Sequence, residues 1–192
     1  MPVKLTRLTA SMALLTVLLL YGCGSAEPML ISKSSAVPAG IDLSGFWLVR
    51  ETPDSARMPA MDAGIERLVS ENRSQRSRRR SSDGVSAQVF MEFGESLKIT
   101  QTAYGIFISY DRSVVEEFTF GENRIVEIGP IEAKRVSGWE GGSFVVETLD
   151  DSRTSLLESW RLEKDATVLV RDIQISKGEK VSFKTRQVFD RQ

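Results

Sequence analysis

Leu97-Lys98-Ile99-Thr100-Gln101, a break at Thr102-Ala103, then Tyr104-Gly105-Ile106-Phe107-Ile108-Ser109-Tyr110: this stretch decides the fold. Leu97, Ile99 and Gln101 alternate with Lys98 and Thr100, and Tyr104, Ile106, Ile108 and Tyr110 repeat the spacing. A period of two puts alternate side chains on opposite faces of an extended chain, so the stretch is two strands joined by a short turn.

The same rhythm runs outward in both directions. Upstream, Gln88–Phe93 places Val89, Met91 and Phe93 on one face, and Asp42–Arg50 contains a β-prone run, Phe46-Trp47-Leu48-Val49. Downstream come Val114–Phe120, Arg124–Ile128, Ile131–Trp139, Phe144–Thr148, Leu156–Leu162, Val168–Ile175 and Val181–Phe189. Turn formers such as Gly-Glu-Asn, Gly-Gly, Asp-Asp and Lys-Gly-Glu separate them. Many short strands joined by tight turns describe an antiparallel up-and-down meander. Such a meander has to close or stack, because free edges invite aggregation. Sequential hairpins favour a closed barrel over 42–192. The alternative, a two-sheet β-sandwich, needs long crossovers, and only 51–87 is long enough to be one.

One segment changes period. Met61, Ile65, Leu68 and Val69 form a single apolar stripe at helical spacing, predicting a helix over about 61–75 after the first strand. Pro59 and Asp62 suit its start, and the arginines that follow suit its negative pole. The whole of 53–87 is thus a helical, Arg-rich insertion.

Gly45-Phe46-Trp47 resembles the G-x-W motif of lipocalins. In that family the tryptophan closes one end of a β-barrel, and a basic residue near the last strand packs over it. The resemblance implies a lipocalin-like barrel with Gly45 and Trp47 at its end and Arg186 or Arg191 over the ring. Ser137–Gly142 and Glu158–Leu162 are similar to stretches of small exported lipocalin-like domains.

The first residues carry an address. Lys4 and Arg7 precede an uncharged stretch, Leu8–Tyr21, with a leucine-rich centre. This is the pattern of an export signal, and it is shorter than the roughly 20 residues needed to cross a bilayer. It ends in Leu20-Tyr21-Gly22-Cys23, which resembles the lipobox of bacterial lipoproteins through Leu20, Gly22 and Cys23. The resemblance implies a signal peptide over 1–22, cleavage after Gly22 and acylation of Cys23 (palmitate among the chains). Several acyl chains on one residue meet the need of stable anchoring for more than one lipid. Cys23 is the only cysteine, so it has no disulfide partner within the chain. Gly24 stands where aspartate marks inner-membrane retention in the enterobacterial form of the family. By that resemblance the expected location is the outer membrane, with the domain in the periplasm. Residues 23–41, small, polar and proline-spaced, suit a flexible lipidated tether.

Composition excludes much chemistry. Without histidine, and with one committed cysteine, the chain lacks the usual zinc ligands and cannot assemble a Ser-His-Asp triad or a Cys-His pair. No metal or cofactor is expected. Loss of residues 1–22 removes two basic residues and leaves three more acids than bases, which does not suggest a nucleic-acid partner.

Candidate contacts remain. Arg76, Arg78, Arg79 and Arg80 crowd the insertion, as an anionic-lipid contact or as a solvated helix end. Trp139 lies beside glycines, which fits either a ligand wall or barrel core. Arg171 shares parity with Leu169, Ile173 and Ile175, so a regular strand points it inward, where it needs a carboxylate. A bulge or strand end that turns it outward is the simpler account. Glu116-Glu117 face opposite sides and Asp150-Asp151 read as a turn, so neither pair is catalytic. The leading expectation is a non-enzymatic lipoprotein that holds a small apolar or lipid ligand in or on its barrel. The alternative is a filled barrel that contacts another envelope component. A carboxylate or Ser/Lys enzyme stands third.

Overall fold

The computed structural model describes residues 29–50, 87–129 and 131–192. The described residues form ten antiparallel strands. These are β1 (Gly45–Val49), β2 (Ser96–Gln101), β3 (Gly105–Tyr110), β4 (Val114–Thr119), β5 (Glu122–Ile128), β6 (Ile131–Glu140), β7 (Ser143–Asp150), β8 (Thr154–Glu163), β9 (Val168–Lys177) and β10 (Lys180–Arg191). They make one sheet in the order β4-β3-β2-β1-β10-β9-β8-β7-β6-β5. Every neighbour pair is consecutive in sequence except β1–β10, where the last strand returns to the first, with Trp47 opposite Arg191 and Val49 opposite Phe189. This is a nearly closed barrel of hairpins, as the alternation predicts, and not two stacked sheets.

Burial alternates along the strands, and the inward rows meet inside. At one end Trp47, Leu97, Ile99, Ile106, Phe118, Phe120, Trp139, Phe144, Trp160, Leu169 and Phe189 form a single apolar mass. Phe120, Trp139 and Phe144 pack edge to face, with ring centres 5.4 to 6.0 Å apart. A smaller cluster of Phe90, Met91, Ala133, Leu156, Ile173 and Ile175 occupies the other end. Between the clusters lies a belt of charged and polar side chains.

Gln88–Phe93 is not a strand. Ala87–Phe90 is a short 3-10 turn, and Phe90 and Met91, adjacent in sequence, are both buried. A strand would send them to opposite faces. Here both enter the smaller cluster, so side-chain burial overrides the apparent alternation. The helix expected at 61–75 and most of the 53–87 insertion lie outside the described residues, as do Cys23, Leu20 and Gly22. Among the described residues, no helix is long and apolar enough to cross a membrane.

From Lys33 onward, the expected tether of 23–41 lies against the barrel. Ser34 and Trp139 exchange both backbone hydrogen bonds, at 3.1 and 2.9 Å. Lys33 donates to Glu140 at 2.8 Å. Gly138 makes this approach possible: at φ 156° its missing Cβ would sit 2.5 Å from the Ser34 carbonyl oxygen.

Candidate functional site: a cleft at the β4–β5 seam

The sheet has one seam. β4 and β5 share the turn at Phe120-Gly121 yet form no ladder with each other. Near the turn, neighbouring groups bridge the edges. Gly121 N–H donates to the Ser137 carbonyl at 2.8 Å, and the Ser137 hydroxyl donates to the Thr119 carbonyl at 2.8 Å. Farther along, the Arg124 guanidinium crosses, donating to the Glu117 carbonyl at 3.0 Å. A cleft of about 350 Å³ opens beside it, lined by Phe90, Glu116, Arg124–Ile128 and Arg135.

Arg135 forms the floor of the cleft. It shares inward parity on β6 with Ala133 and Trp139, and its residue surface is 7% exposed. Its guanidinium carbon stands 5.5 Å from the ring centres of both Phe90 and Phe118. Nε donates to the Thr148 hydroxyl at 3.0 Å, directly across the β6–β7 ladder. Glu116 lies 3.7 Å from Nη1, an ion pair too long for a hydrogen bond. Among the described residues, therefore, one of the five guanidinium N–H groups makes a hydrogen bond. Arg124 faces Arg135 directly across the β5–β6 ladder. Two like charges opposite one another destabilise a sheet unless an anion relieves them.

Glu116 does so only in part. It accepts a 3.2 Å hydrogen bond from the Tyr110 hydroxyl. Burial, followed by the nearby Glu158 charge, raises its pKa to about 7 against the pull of Arg135 and Arg171. Near neutral pH the carboxyl is thus poised between a charged partner of Arg135 and a neutral one.

Deeper in the belt, Arg171 is fully buried, contrary to the outward account. β9 runs without a bulge at this point, so strand parity holds. The required carboxylate is Glu158, which accepts from Nε at 2.9 Å and also from Nη2. Gln187 Oε1 and the Glu92 carbonyl accept from Nη1 at 2.9 and 2.7 Å. The guanidinium carbon stands 4.5 Å from the ring centre of Trp160. Unlike Arg135, this group is satisfied from within.

At the closed end, Arg191, and not Arg186, lies over Trp47, 4.2 Å from the ring centre. It donates to the Ser44 carbonyl at 2.7 Å and the Ala166 carbonyl at 2.8 Å. Gly45 leaves room for it, since a Cβ there would meet Arg191 Nη1 at 2.8 Å. Arg186 instead pairs with Asp172 on the outer surface. Trp139, offered as a ligand wall, is buried beneath the Ser34 strap and forms part of the core. Arg76, Arg78, Arg79 and Arg80 lie outside the described residues. Among those residues, no cluster of three potential metal ligands occurs.

Arg135, Arg124, Glu116, Tyr110 and Glu158 are site residues that the sequence reading did not select. The signal that marks Arg171, a charge on inward parity, marks Arg135 beside Ala133 and Glu158 beside Leu156 and Trp160 equally well.

No protein-family model matches the chain, and no curated protein matches it. Several solved structures are similar in architecture. A secretory abundant heat soluble protein from Ramazzottius varieornatus is 14% identical, with 78% of this chain and 94% of that one covered and a TM-score of 0.44. Fatty-acid-binding protein 1 of Echinococcus granulosus is 16% identical over 77% and 96%, with a TM-score of 0.42. The REP1-NXSQ fatty acid transporter is 14% identical over 79% and 96%, at 0.43. Values at this level assign neither family nor ligand.

Proposed function

We propose that the chain is a non-enzymatic lipoprotein of the bacterial outer membrane, anchored through an acylated Cys23, whose barrel binds a small acidic lipid at the β4–β5 seam. The anionic head sits on Arg135, with Arg124 at the rim, and the apolar part lies against Phe90, Val126 and Ile128. The observation that carries the reading is Arg135 itself: a guanidinium buried between two aromatic rings, opposite a second arginine and facing a cleft, with most of its donors unused among the described residues. Its remaining donors border the cleft, where a carboxylate or phosphate can form charge-assisted hydrogen bonds to them. The export signal and lipobox support the envelope location.

Native mass spectrometry of the full mature chain, gently extracted from membranes, tests this directly. A reproducible added mass, recovered as an acidic lipid and lost in Arg135→Met, is the expected result. A ligand-free mass that stays unchanged after exposure to phosphatidylglycerol and free fatty acid overturns it. That result leaves the filled-barrel reading, which the apolar packing around Trp47 favours.

A further inference from the structure

We infer that the Trp47 end of the barrel rests on the bilayer that holds the anchor, so that the seam cleft opens toward the aqueous compartment. This rests on the anchoring half of the reading above and is independent of the ligand.

The described chain begins at Met29 and reaches the barrel at its closed end. Ser34 is fastened to Trp139, Ser35 packs on Gly121, and Ile41 reaches Gly142 in the β6–β7 turn. Only residues 24–28 separate Met29 from Cys23. Counted from Ser34, the first residue whose backbone is fastened to the barrel, eleven Cα-to-Cα steps lead back to Cys23, about 40 Å at full stretch, while the usual span of a chain of that length is about 18 Å. The barrel is taller than that usual span. Ten-residue strands such as β8 and β9 are about 33 Å long, or about 25 Å along the axis at the usual tilt. A leash leaving the closed end therefore favours that end against the membrane, because setting the opposite end there would hold the leash well beyond its usual span.

The surface at the closed end suits a bilayer. Met29 is 84% exposed and Ile31 73% exposed at the point where the leash arrives. Tyr104, at 81%, stands on the β2–β3 turn of the same end, where its carbonyl accepts from Phe120 N–H beside Gly121. A tyrosine flanked by aliphatic side chains is the composition of a lipid headgroup interface. At the other end, the cleft is lined as far as Ile128, the last residue of β5. A ligand held there meets soluble carriers or an opposing membrane before it meets its own.

The test uses the acylated full chain in vesicles of phosphatidylethanolamine and phosphatidylglycerol carrying a headgroup nitroxide. Single bimane labels are placed at Ile31→Cys, Tyr104→Cys, Val115→Cys on the β4 wall and Ile128→Cys at the opposite end. Acylation of Cys23 leaves each introduced thiol unique. Loss of most of the fluorescence at 31 and 104, with little at 115 and 128, is expected. Equal or stronger quenching at 115 marks a barrel lying on its side, and at 128 an inverted one. A blue shift at 31 and 104 without quenching marks a protein-covered face. No quenching at any label marks a barrel standing clear of the bilayer. Each of these four results overturns the inference. Vesicle flotation and the mass of the N-terminal peptide report anchoring separately. A chain that neither floats nor carries acyl groups removes the premise and leaves the cleft to be judged on its own assay.

Discussion

Arg171 and Glu158 stand diagonally across the β8–β9 ladder and neutralise one another where no solvent reaches. Replacing either partner alone leaves the other as an uncompensated buried charge. Glu158→Leu is expected to cost about 3–5 kcal/mol in urea unfolding. The double variant Arg171→Met, Glu158→Leu should recover most of that loss. A double variant no better than the single ones would show that the pair is held for more than charge balance.

Glu116 makes stability depend on pH in a definite direction. Its folded pKa of about 7 lies above the ordinary 4.5, so the folded state holds the proton more tightly than the unfolded state does. The stabilisation from this group is complete below 4.5 and fades as pH rises through 7. Glu116→Gln should remove that slope. Chemical denaturation at half-unit steps from pH 5 to 8 compares the two curves, and parallel curves would sink the assignment.

Ligand binding at the seam should share the same switch. Once neutral, Glu116 no longer competes for Arg135, so an acidic lipid is expected to bind more tightly as pH falls toward 6, with proton uptake on binding. Titration with a fluorescent fatty acid at several pH values checks this. The dependence should vanish in Glu116→Gln and the binding itself in Arg135→Met.

Gly138 holds the N-terminal strap. Gly138→Ala drives a methyl group into the Ser34 carbonyl, an overpacking that costs about 1–3 kcal/mol and should release residues 29–35. Limited proteolysis with trypsin reads the release at Lys33, whose amine is otherwise engaged by Glu140. A cleavage rate equal to that of the parent chain would show that the strap is held elsewhere.

Arg191→Ala removes the cover of Trp47 together with hydrogen bonds to Ser44 and Ala166. A loss of about 1–3 kcal/mol is expected from a cation over an aromatic ring and its bonded carbonyls. A red shift of tryptophan emission should accompany it.

Strand order is legible in the sequence because period-two burial is a local property, and Leu97–Tyr110 displays it without interference. Gly45 and Trp47 are marked by their resemblance to the G-x-W motif, and the close approach of Arg191 that requires the glycine emerges only in the structure. Gln88–Phe93 misleads because two adjacent apolar residues can both be buried once the chain leaves the extended state. The seam is hidden for a different reason. Whether β4 and β5 pair depends on barrel circumference, to which every strand contributes and which no short window encodes. Arg135 is therefore visible as an inward charge, yet its neighbours Arg124 and Glu116 become its neighbours only when the sheet has closed.

The pairing of β1 with β10 also governs when the molecule can exist. One edge of its first strand pairs with β2, but the other is covered only once Phe189–Arg191 of the tenth strand have been made. Until they arrive, every shorter chain carries raw edges at β1 and β9, and no hairpin formed earlier can relieve them. Loss of Phe189–Arg191 should thus be felt as failure to mature, with the nascent meander exposed to proteases and to its own copies. A barrel sealed by β10 is also one that can stay unfolded until β10 has been made.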